Sequence, residues 1–259
     1  MFKTIDKKIC EAFSDAAVQY DVLTSLHKEI GRDLLKKITA REQCSRILDI
    51  GMGPGWLTKR IAFYFPESKI IGTDFAPGMI DLAKNNSEGI QLIVADAGAL
   101  PFQNDVFDII VSNLAYQWVA DLEHAFQSCY ASLNEGGVFC FTAFGRNTLD
   151  ELFVSLENAT EQKMQLPFHR LASQEKITHA MEQSGFQDIQ VDYERIKVRF
   201  PDMMGLMKWI KNIGANTLRN GTYIGKDLIT RANEYYEQHF KDRFGIYTTF
   251  EVIWVEAKK

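Results

Sequence analysis

The sequence has few cysteines and histidines, and neither residue type is spaced as a metal site. The four cysteines are far apart and form no Cys-x-x-Cys pair; they are Cys10, Cys44, Cys129 and Cys140. The five histidines form no His-x-x-x-His pattern that would place two ligands on one helical face. We therefore expect no structural metal and no disulfide framework, and we expect the four thiols to be reduced and buried.

The chain also lacks an excess of basic residues and a long apolar run. It has 29 lysines and arginines against 34 aspartates and glutamates, so it offers no basic stripe for a nucleic-acid backbone. No stretch approaches the roughly 18 apolar residues of a membrane-spanning helix, and the N-terminus has no signal-peptide core. We expect a cytoplasmic protein that binds neither nucleic acid nor membrane. Its 259 residues, without repeats or a flexible linker, suit a single domain.

Residues 46–144 alternate short β-branched runs with helical patterns, which is typical of βαβ units around a mostly parallel sheet. The pattern predicts strands over residues 46–51, 69–74, 91–96, 107–113 and 138–144. Helices are predicted to begin near Leu57, Pro77 and Leu122. Two further helices are predicted within residues 7–39. This arrangement indicates a doubly wound α/β core.

The pattern changes after residue 144. Helices are predicted over residues 149–164, 173–185 and 203–214, and strands over residues 188–200 and 248–257. The last strand suits antiparallel pairing, because parallel pairing requires a longer crossover connection. We interpret residues of about 7–40, 145–185 and 201–245 as a helical cap over an active site within the same domain.

The strongest local signal is the segment ILDIGMGPG at residues 47–55, where a predicted strand opens into a helix. Glycines allow a tight turn and close approach of a ligand to the backbone, and the helix N-terminus favours polar ligand groups. By itself, Gly-x-Gly-x-Gly also fits a plain strand-to-helix turn. The motif gains meaning only from the acidic residues that follow it.

Asp74 and Asp96 come at the ends of the next two predicted strands. A carboxylate at the first position can accept hydrogen bonds from ribose hydroxyls, and one at the second can accept from the exocyclic amine of adenine. Each residue alone is more often a turn former or a helix cap. Their joint position at neighbouring strand ends predicts a ligand that contains adenosine.

A nicotinamide dinucleotide also contains adenosine, but its binding folds prefer Gly-x-Gly-x-x-Gly, and Trp56 occupies the place of the last glycine. Asp49 before the glycines and LPF at residues 100–102 resemble class I S-adenosylmethionine-dependent methyltransferases. The resemblance implies a Rossmann-like α/β fold with a seven-stranded, mostly parallel sheet and an antiparallel last strand. It also implies S-adenosylmethionine as cofactor, without a metal. The implied cofactor-binding residues are Tyr20, Asp49, Gly51, Gly53, Gly55, Asp74, Phe75, Met79, Asp96, Ala97, Asn113 and Leu114.

That resemblance assigns a part of the cofactor to each group of residues. The glycines line the methionine portion, Asp74 holds the ribose, and Asp96 with Ala97 contacts the adenine. Asn113 and Leu114, at the end of the fourth predicted strand, face the sulfonium, and Tyr20 closes over the same side.

Less generic segments resemble the malonyl-acyl-carrier-protein O-methyltransferases of biotin synthesis. These are AFSDAAVQYD at residues 12–21, SNLAYQW at 112–118, IKNIGA at 210–215 and the closing YTTFEV at 247–252. Met52 replaces the usual cysteine of the glycine loop, and NEGG at residues 134–137 replaces a Lys-Pro-Gly-Gly turn; we expect neither to touch the chemistry. The resemblance implies methylation of the free carboxylate of a malonyl thioester, so that the masked group can be elongated towards pimelate. The implied partner is an acyl carrier protein bearing the malonyl group, or malonyl-coenzyme A.

A carboxylate is already ionised at neutral pH, so its methylation needs alignment and desolvation, not a general base. No catalytic acid or base is therefore predicted. Lys211 is the leading candidate to orient the carboxylate, with Arg146 as the alternative, although either could be a solvated surface residue. Gln117 and Trp118 are predicted to wall the acceptor pocket, although Trp118 could also be a core residue.

An acidic carrier protein would need a basic docking patch. The candidates are Lys36, Lys37, Arg41 and Arg46, or alternatively Arg195, Lys197 and Arg199 on one face of a strand. Three other functions remain open at this level: methylation of another small carboxylic acid or a quinone-like ring, non-catalytic binding of S-adenosylmethionine, and, more remotely, dehydrogenation.

Overall fold

One mixed β-sheet organises the protein, for which a computed structural model describes residues 7–41, 44–85, 87–160, 171–215 and 225–259. The strand order is β3-β2-β1-β4-β5-β8-β6, and the short β7 pairs with β8. The strands are β1 (Arg46–Ile50), β2 (Lys69–Asp74), β3 (Gln91–Val94), β4 (Phe107–Asn113), β5 (Leu133–Phe144), β6 (Gln187–Phe200), β7 (Lys241–Asp242) and β8 (Gly245–Lys258).

Helices cover both faces of this sheet. Within the described residues they are α1 (Lys7–Leu23), α2 (Ser25–Thr39), α3 (Trp56–Tyr64), α4 (Pro77–Lys84), α5 (Leu122–Ser132), α6 (Asp150–Thr160), α7 (Gln174–Gln183), α8 (Met203–Asn212) and α9 (Lys226–His239). A single 3-10 turn, Tyr116–Trp118, follows β4.

The strand directions confirm the predicted sheet. Strands β1 to β5 pair in parallel, whereas β8 runs antiparallel to both β5 and β6. The carboxyl ends of the parallel strands therefore lie at one edge, where open α/β sheets bind their ligands. The two-residue β7, an eighth strand, is too short to leave a pattern in the sequence.

Most predicted elements form near their expected bounds. Strand β5 begins earlier than predicted, because Leu133 already pairs with Phe107 before the register shifts. The predicted helix over residues 149–164 is described as α6 up to Thr160, and residues 161–164 lie outside the described part. Helix α9 was not predicted. It buries only Ala232 and Tyr236, which is too little for a clear apolar period.

The core lies on both faces of the sheet, because successive strand residues point to opposite sides. Phe139 and Phe141 of β5 pack with α5 and α7, whereas Val138 and Cys140 face α2 and α3. Around β8, a third cluster joins α6, α8 and α9 through Phe250 and its neighbours. This third cluster forms the core of the region in which a helical cap was predicted.

Six of the seven cations in the two candidate basic patches pair with groups of the fold. Arg199 donates to Asp242 and Arg195 lies 3.5 Å from the Glu251 carboxylate. Lys197 lies 4.3 Å from the centroid of the Tyr247 ring. In the other patch, the pairs are Lys36 with Asp33, Lys37 with Asp192 and Arg41 with Glu256. Neither cluster presents a row of unpaired cations.

All four cysteines are free thiols. Cys129 and Cys140 are buried as expected, but Cys10 and Cys44 are partly exposed, so the expectation of burial was wrong for these two. The described residues contain no group of three potential ligands for a metal ion. Among the helices of the described ranges, none has the length and apolar character to cross a membrane.

Candidate active site

The glycine loop between β1 and α3 is held against the end of β2. The backbone N–H groups of Gly51 and Met52 both donate to the carbonyl of Thr73, at 2.8 and 2.9 Å. Gly51 has φ +69° and Gly55 has φ +85°, a left-handed conformation that favours glycine. A Cβ at Gly51 would lie only 2.2 Å from the Cβ of Ala115, so this position also has no room for a side chain.

Asp49 brings a buried carboxylate beneath this loop. The Thr58 hydroxyl donates to Asp49 Oδ2 at 2.7 Å, whereas Oδ1 has no hydrogen-bond partner among the described residues. Burial raises the pKa of Asp49 to about 7, since the apolar surroundings disfavour its charged form. An unpaired buried oxygen is costly, so Asp49 is suited to receive a donor from a ligand.

Asp74 occupies the end of β2, as predicted. The N–H of Gly53 donates to its Oδ2 and the N–H of Ala76 donates to its Oδ1, each at 2.9 Å. Burial raises the pKa of Asp74 to about 6, and these N–H donors limit the rise. Because each carboxylate oxygen can accept more than one hydrogen bond, Asp74 can still receive ligand hydroxyls.

The predicted adenine-side residues lie beside Asp74. The Ala95 N–H donates to the Asp74 carbonyl at 3.0 Å, which brings Asp96 next to the end of β2. Asp96 is buried and accepts from the Gly98 N–H at 2.8 Å. Ala97 is also buried. On the other side of Asp74, Phe75 and Met79 pack in one cluster with Phe13 and Ala17 of α1.

A pocket of about 450 Å³ of empty space opens above the glycine loop, and we name it the glycine-loop pocket. It is lined by Tyr20, Thr24, His27, Lys28, Asp49, Gly51, Met52, Gly53, Pro54, Trp56, Leu57 and Asn113. Met52 thus contributes to the site, although it was expected to have no direct part in it. The pocket is lined by the Asp49 carboxylate, the Lys28 ammonium group and the backbone of the glycine loop, and these features suit a small zwitterionic ligand.

A second pocket, of about 500 Å³ of empty space, adjoins the first, and we name it the apolar pocket. Its described lining residues are Phe13, Tyr20, His27, Leu114, Gln117, Trp118, Phe144, Thr148, Leu149, Leu171, Trp209, Ile210, Ile213, Ala215 and Phe250. None of these carries a carboxylate, an ammonium or a guanidinium group. A polar ligand in this pocket would therefore be largely stripped of water.

Helices α1 and α8 close this pocket together. The Trp209 indole N–H donates to the carbonyl of Leu23 at 2.8 Å. Gly214 has φ +79°, and a Cβ there would lie 3.0 Å from the carbonyl oxygen of Ala12. This close approach explains why the IKNIGA segment has a glycine after α8.

The two pockets meet at a junction formed by Tyr20, His27, Asn113 and Leu114. Tyr20 and His27 line both pockets, whereas Asn113 lines the first and Leu114 the second. The Asn113 amide donates to the His27 carbonyl at 3.0 Å and accepts from the Thr142 hydroxyl at 2.8 Å. Leu114 has φ +56°, a strained conformation of the kind that clusters at functional sites. Ligands bound in the two pockets would meet at this junction, which is the arrangement that transfer of a chemical group from one to the other requires.

The two cations predicted to orient an acceptor do not line the apolar pocket. Lys211 is exposed on α8, although its neighbours Ile210 and Ile213 point into the pocket. Helical spacing explains this placement, because the two residues between Ile210 and Ile213 lie on the outer face. Arg146 is also exposed, in the turn after β5, and lies near Glu175. By contrast, Gln117 and Trp118 line the apolar pocket, and their role as walls of an acceptor pocket stays a prediction.

The sequence interpretation missed His27, which the structure places at the junction. One signal in the sequence was that His27 follows Tyr20 by seven residues. Two residues at that spacing lie on the same face of a continuous helix. The chain changes from α1 to α2 at Thr24, so that signal was unreliable. The apolar wall formed by Phe144, Trp209 and Phe250 was likewise not predicted.

The comparisons with known proteins agree with this geometry. A sequence profile described as a methyltransferase domain matches residues 48–141, from β1 to β5. The chain is similar to the malonyl-[acyl-carrier protein] O-methyltransferase of Gallionella capsiferriformans, with 31% identity over 98% of this chain and 91% of that protein. The enzyme of the same description from Hahella chejuensis is 32% identical over 96% of this chain and 89% of its own length.

Solved structures show the same fold at lower identity. The YcgJ protein of Bacillus subtilis matches with a TM-score of 0.62 at 19% identity, covering 88% of this chain and 98% of that one. Phosphoethanolamine N-methyltransferase 2 of Haemonchus contortus, solved with S-adenosyl-L-methionine, matches with a TM-score of 0.56 at 20% identity. This second match covers 88% of this chain and 52% of the other.

Proposed function

The chain belongs to the malonyl-[acyl-carrier protein] O-methyltransferase family, and from this premise we propose that it methylates the free carboxylate of a malonyl group on an acyl carrier protein. The observation that carries the proposal is the junction at which a glycine-loop pocket meets a water-poor apolar pocket. The first pocket would hold the methyl donor, and the second would hold the acyl group. The product is a malonyl methyl ester, which we propose serves the synthesis of biotin.

The residues of the glycine-loop pocket fit S-adenosylmethionine, the cofactor of this enzyme class. Asp49 offers a buried oxygen without a partner among the described residues. Gly53 leaves open space for a ligand, since a Cβ there would meet only the Tyr20 ring, at 3.8 Å. We propose that Asp49 faces the methionine portion, that Asp74 holds the ribose and that Asp96 with Ala97 contacts the adenine. When bound, the cofactor supplies an electrophilic methyl group on a sulfonium.

The protein's own contribution is to align and desolvate the acceptor. A carboxylate is ionised at neutral pH, so no residue has to remove a proton from it. The aromatic lining of the apolar pocket excludes water and strengthens each polar contact that remains. Gln117 and Trp118 would wall the acceptor, and Tyr20 would lie against the transferring methyl group.

We propose that the helical segments around the apolar pocket act as a cap within a single methyltransferase domain. Lining residues from α1, α2 and α8 support this, because they connect the cap to the junction. We also propose a cytoplasmic location, which the four free thiols support, since unpaired cysteines persist in reducing compartments. The proposed partner is the acyl carrier protein, and malonyl-coenzyme A is the alternative because it offers the same thioester arm.

The test is mass spectrometry of malonyl-acyl-carrier protein after incubation with the purified enzyme and S-adenosylmethionine. We expect a carrier species heavier by one methyl group. Malonyl-coenzyme A, run alongside, separates the two acyl carriers. Acetyl-acyl-carrier protein is the matched control, because it lacks the carboxylate and should remain unchanged. An unmodified malonyl carrier, despite demonstrated cofactor binding, would favour another small acid or a quinone-like acceptor.

Cofactor affinity should rise with pH between about pH 5 and pH 8. Burial raises the pKa values of Asp49 and Asp74 to about 7 and about 6, so both take up protons in the free enzyme below these values. Because both pKa values lie above the ordinary value of 3.8, the contribution of these carboxyls to the free energy of unfolding is fully present below pH 3.8. This contribution is lost as pH rises through 6 to 7. The positively charged cofactor favours the ionised carboxylates, so its binding should release protons.

Calorimetry at pH 6.5 in two buffers of different ionisation enthalpy measures this release. Asp49→Asn should reduce it, because the amide keeps the bond from Thr58 but does not titrate. A cofactor affinity that stays flat from pH 5 to pH 8 would contradict the assignment of these carboxyls to the binding site.

A further inference from the structure

We propose that His27 forms the carboxylate subsite of the acceptor pocket, donating a hydrogen bond to one oxygen of the malonyl carboxylate while the other oxygen attacks the methyl group. The proposal rests on the proposed function and names a residue for the role that Lys211 and Arg146 were expected to fill. His27 lines both pockets, so a group bound to it lies at the junction.

The position of the His27 ring is fixed from several sides. Its backbone carbonyl accepts from the Asn113 amide at 3.0 Å, which ties α2 to the end of β4. Ring centroids of Tyr20, Phe144 and Trp209 lie 5.8, 5.7 and 6.3 Å from the imidazole centroid. The side chain therefore has little freedom to move away from the junction.

The protein leaves hydrogen-bonding capacity on this imidazole unused. His27 is 8% exposed, and its Nδ1 is enclosed without a partner among the described residues. Buried polar atoms in folded proteins nearly always have a partner, so an exception calls for an explanation, such as a water, an ion or a catalytic role. A carboxylate oxygen in the apolar pocket would be such a ligand atom.

Thr148 and Gln117, two other polar side chains of the apolar pocket, bond to the backbone. The Thr148 hydroxyl donates to the Glu251 carbonyl at 3.2 Å and accepts from the Glu251 N–H at 3.1 Å. Gln117 Oε1 accepts from the Phe144 N–H at 3.3 Å. These bonds shape the wall of the pocket, whereas the imidazole lies at the junction itself, beside Tyr20 and Asn113.

The charge state of His27 suits this role. Burial lowers its pKa to about 4, so the ring is neutral at physiological pH and does not repel a sulfonium in the adjoining pocket. A neutral imidazole carries one N–H, which can donate to a carboxylate oxygen. A hydrogen bond to a charged acceptor is also stronger than one to a neutral ester, so the contact weakens once the product forms.

The transfer step requires no proton from His27. A lone pair of the free carboxylate oxygen forms the new bond to the methyl carbon, and the sulfur–carbon bond breaks with its electron pair remaining on sulfur. The negative charge of the carboxylate and the positive charge of the sulfonium disappear together. A solvent isotope effect close to 1 on the methyl-transfer step is therefore expected, and a large one would contradict a step without proton transfer.

The kinetic test compares wild-type enzyme with His27→Phe, which keeps a flat ring but has no N–H group. We expect kcat/KM for malonyl-acyl-carrier protein to fall about 30-fold or more, with the Kd of S-adenosylmethionine changed less than about 3-fold. His27→Gln should restore part of the loss, because its amide can donate. His124→Phe, an exposed position at the start of α5, is the matched control and should behave as wild type.

A binding experiment tests the same contact without turnover. In histidine-labelled enzyme saturated with S-adenosylhomocysteine, the imidazole 15N signals of His27 should shift with malonyl-acyl-carrier protein and not with acetyl-acyl-carrier protein. The His27 signals are identified by their absence in His27→Phe, whose thermal unfolding shows whether it folds. If that variant is unfolded, the imidazole signals that are absent from His27→Gln identify His27 in the wild type, whose shifts then decide the question.

The outcomes separate this proposal from the proposed function. Wild-type methylation of malonyl-acyl-carrier protein, with unchanged kcat/KM in a folded His27→Phe, overturns the His27 subsite and leaves the proposed function intact. A selective rise in KM for the carrier in Lys211→Ala, with His27→Phe unaffected, returns the role to Lys211. Absence of methylation by the wild type overturns both proposals.

Discussion

Replacing Gly51 with alanine should destabilise the glycine loop by about 3 kcal/mol or more and abolish cofactor binding. Two effects add at this position. The left-handed φ of +69° disfavours any side chain, by about 1–2 kcal/mol for alanine. The added Cβ would also lie 2.2 Å from the Cβ of Ala115, so the turn after β4 would have to move. Chemical unfolding and calorimetric titration with S-adenosylmethionine measure the two consequences.

Gly89→Ala is the matched control for this prediction. Gly89 has φ +76°, almost the same backbone conformation, but a Cβ there would meet no atom within 4 Å. It should therefore show only the conformational cost of about 1–2 kcal/mol and retain cofactor binding. Equal losses in the two variants would show that the contact with Ala115 has no effect and that the loop can adjust.

Asp74→Asn should weaken S-adenosylmethionine binding by about 1.5–3 kcal/mol, a loss of roughly 10-fold to 150-fold in affinity. The amide keeps the shape of the carboxylate, but its NH2 group must face an N–H donor, either of Gly53 or of Ala76. It also presents one acceptor oxygen in place of two to the ribose. Calorimetric titration gives the affinity, and thermal unfolding separates a binding defect from a folding defect.

Asp81→Asn provides the comparison on the neighbouring helix α4. Asp81 is exposed and pairs with Lys84 at 2.7 Å on the helix surface, where an ion pair contributes little. Its cofactor affinity should equal that of the wild type. If Asp74→Asn binds the cofactor equally well, the ribose must be held by another group, and the assignment of Asp74 fails.

The residues proposed to hold the cofactor could be placed together from the sequence, because their positions depend on local sequence. The glycine loop, Asp74 and Asp96 lie at or just after the carboxyl ends of β1, β2 and β3, and parallel strands bring these ends to one edge. Knowing the strands was therefore enough to place these residues together. The structure adds what each one bonds to, such as the Gly53 N–H on Asp74.

The acceptor half was only partly open to prediction, because it is assembled from distant segments of the chain. Gln117 and Trp118 lie in the 3-10 turn after β4, and both line the apolar pocket that we propose holds the acceptor. Lys211 shares a segment with pocket residues, yet the rotation of α8 turns it to solvent. Met52, which was expected not to touch the chemistry, lines the glycine-loop pocket, so that expectation stays a prediction.

The sequence by itself determined the sheet, the glycine loop and the carboxylates that suit an adenosine ligand, because hydrophobic period and turn chemistry are local properties. Only the tertiary structure decided which side chains meet at the junction. His27 reaches Asn113 across 86 positions of the chain, and Trp209 reaches Leu23 across 186. Such contacts depend on how helices pack on the sheet, and helix rotation by a single residue turns a side chain from a pocket to solvent.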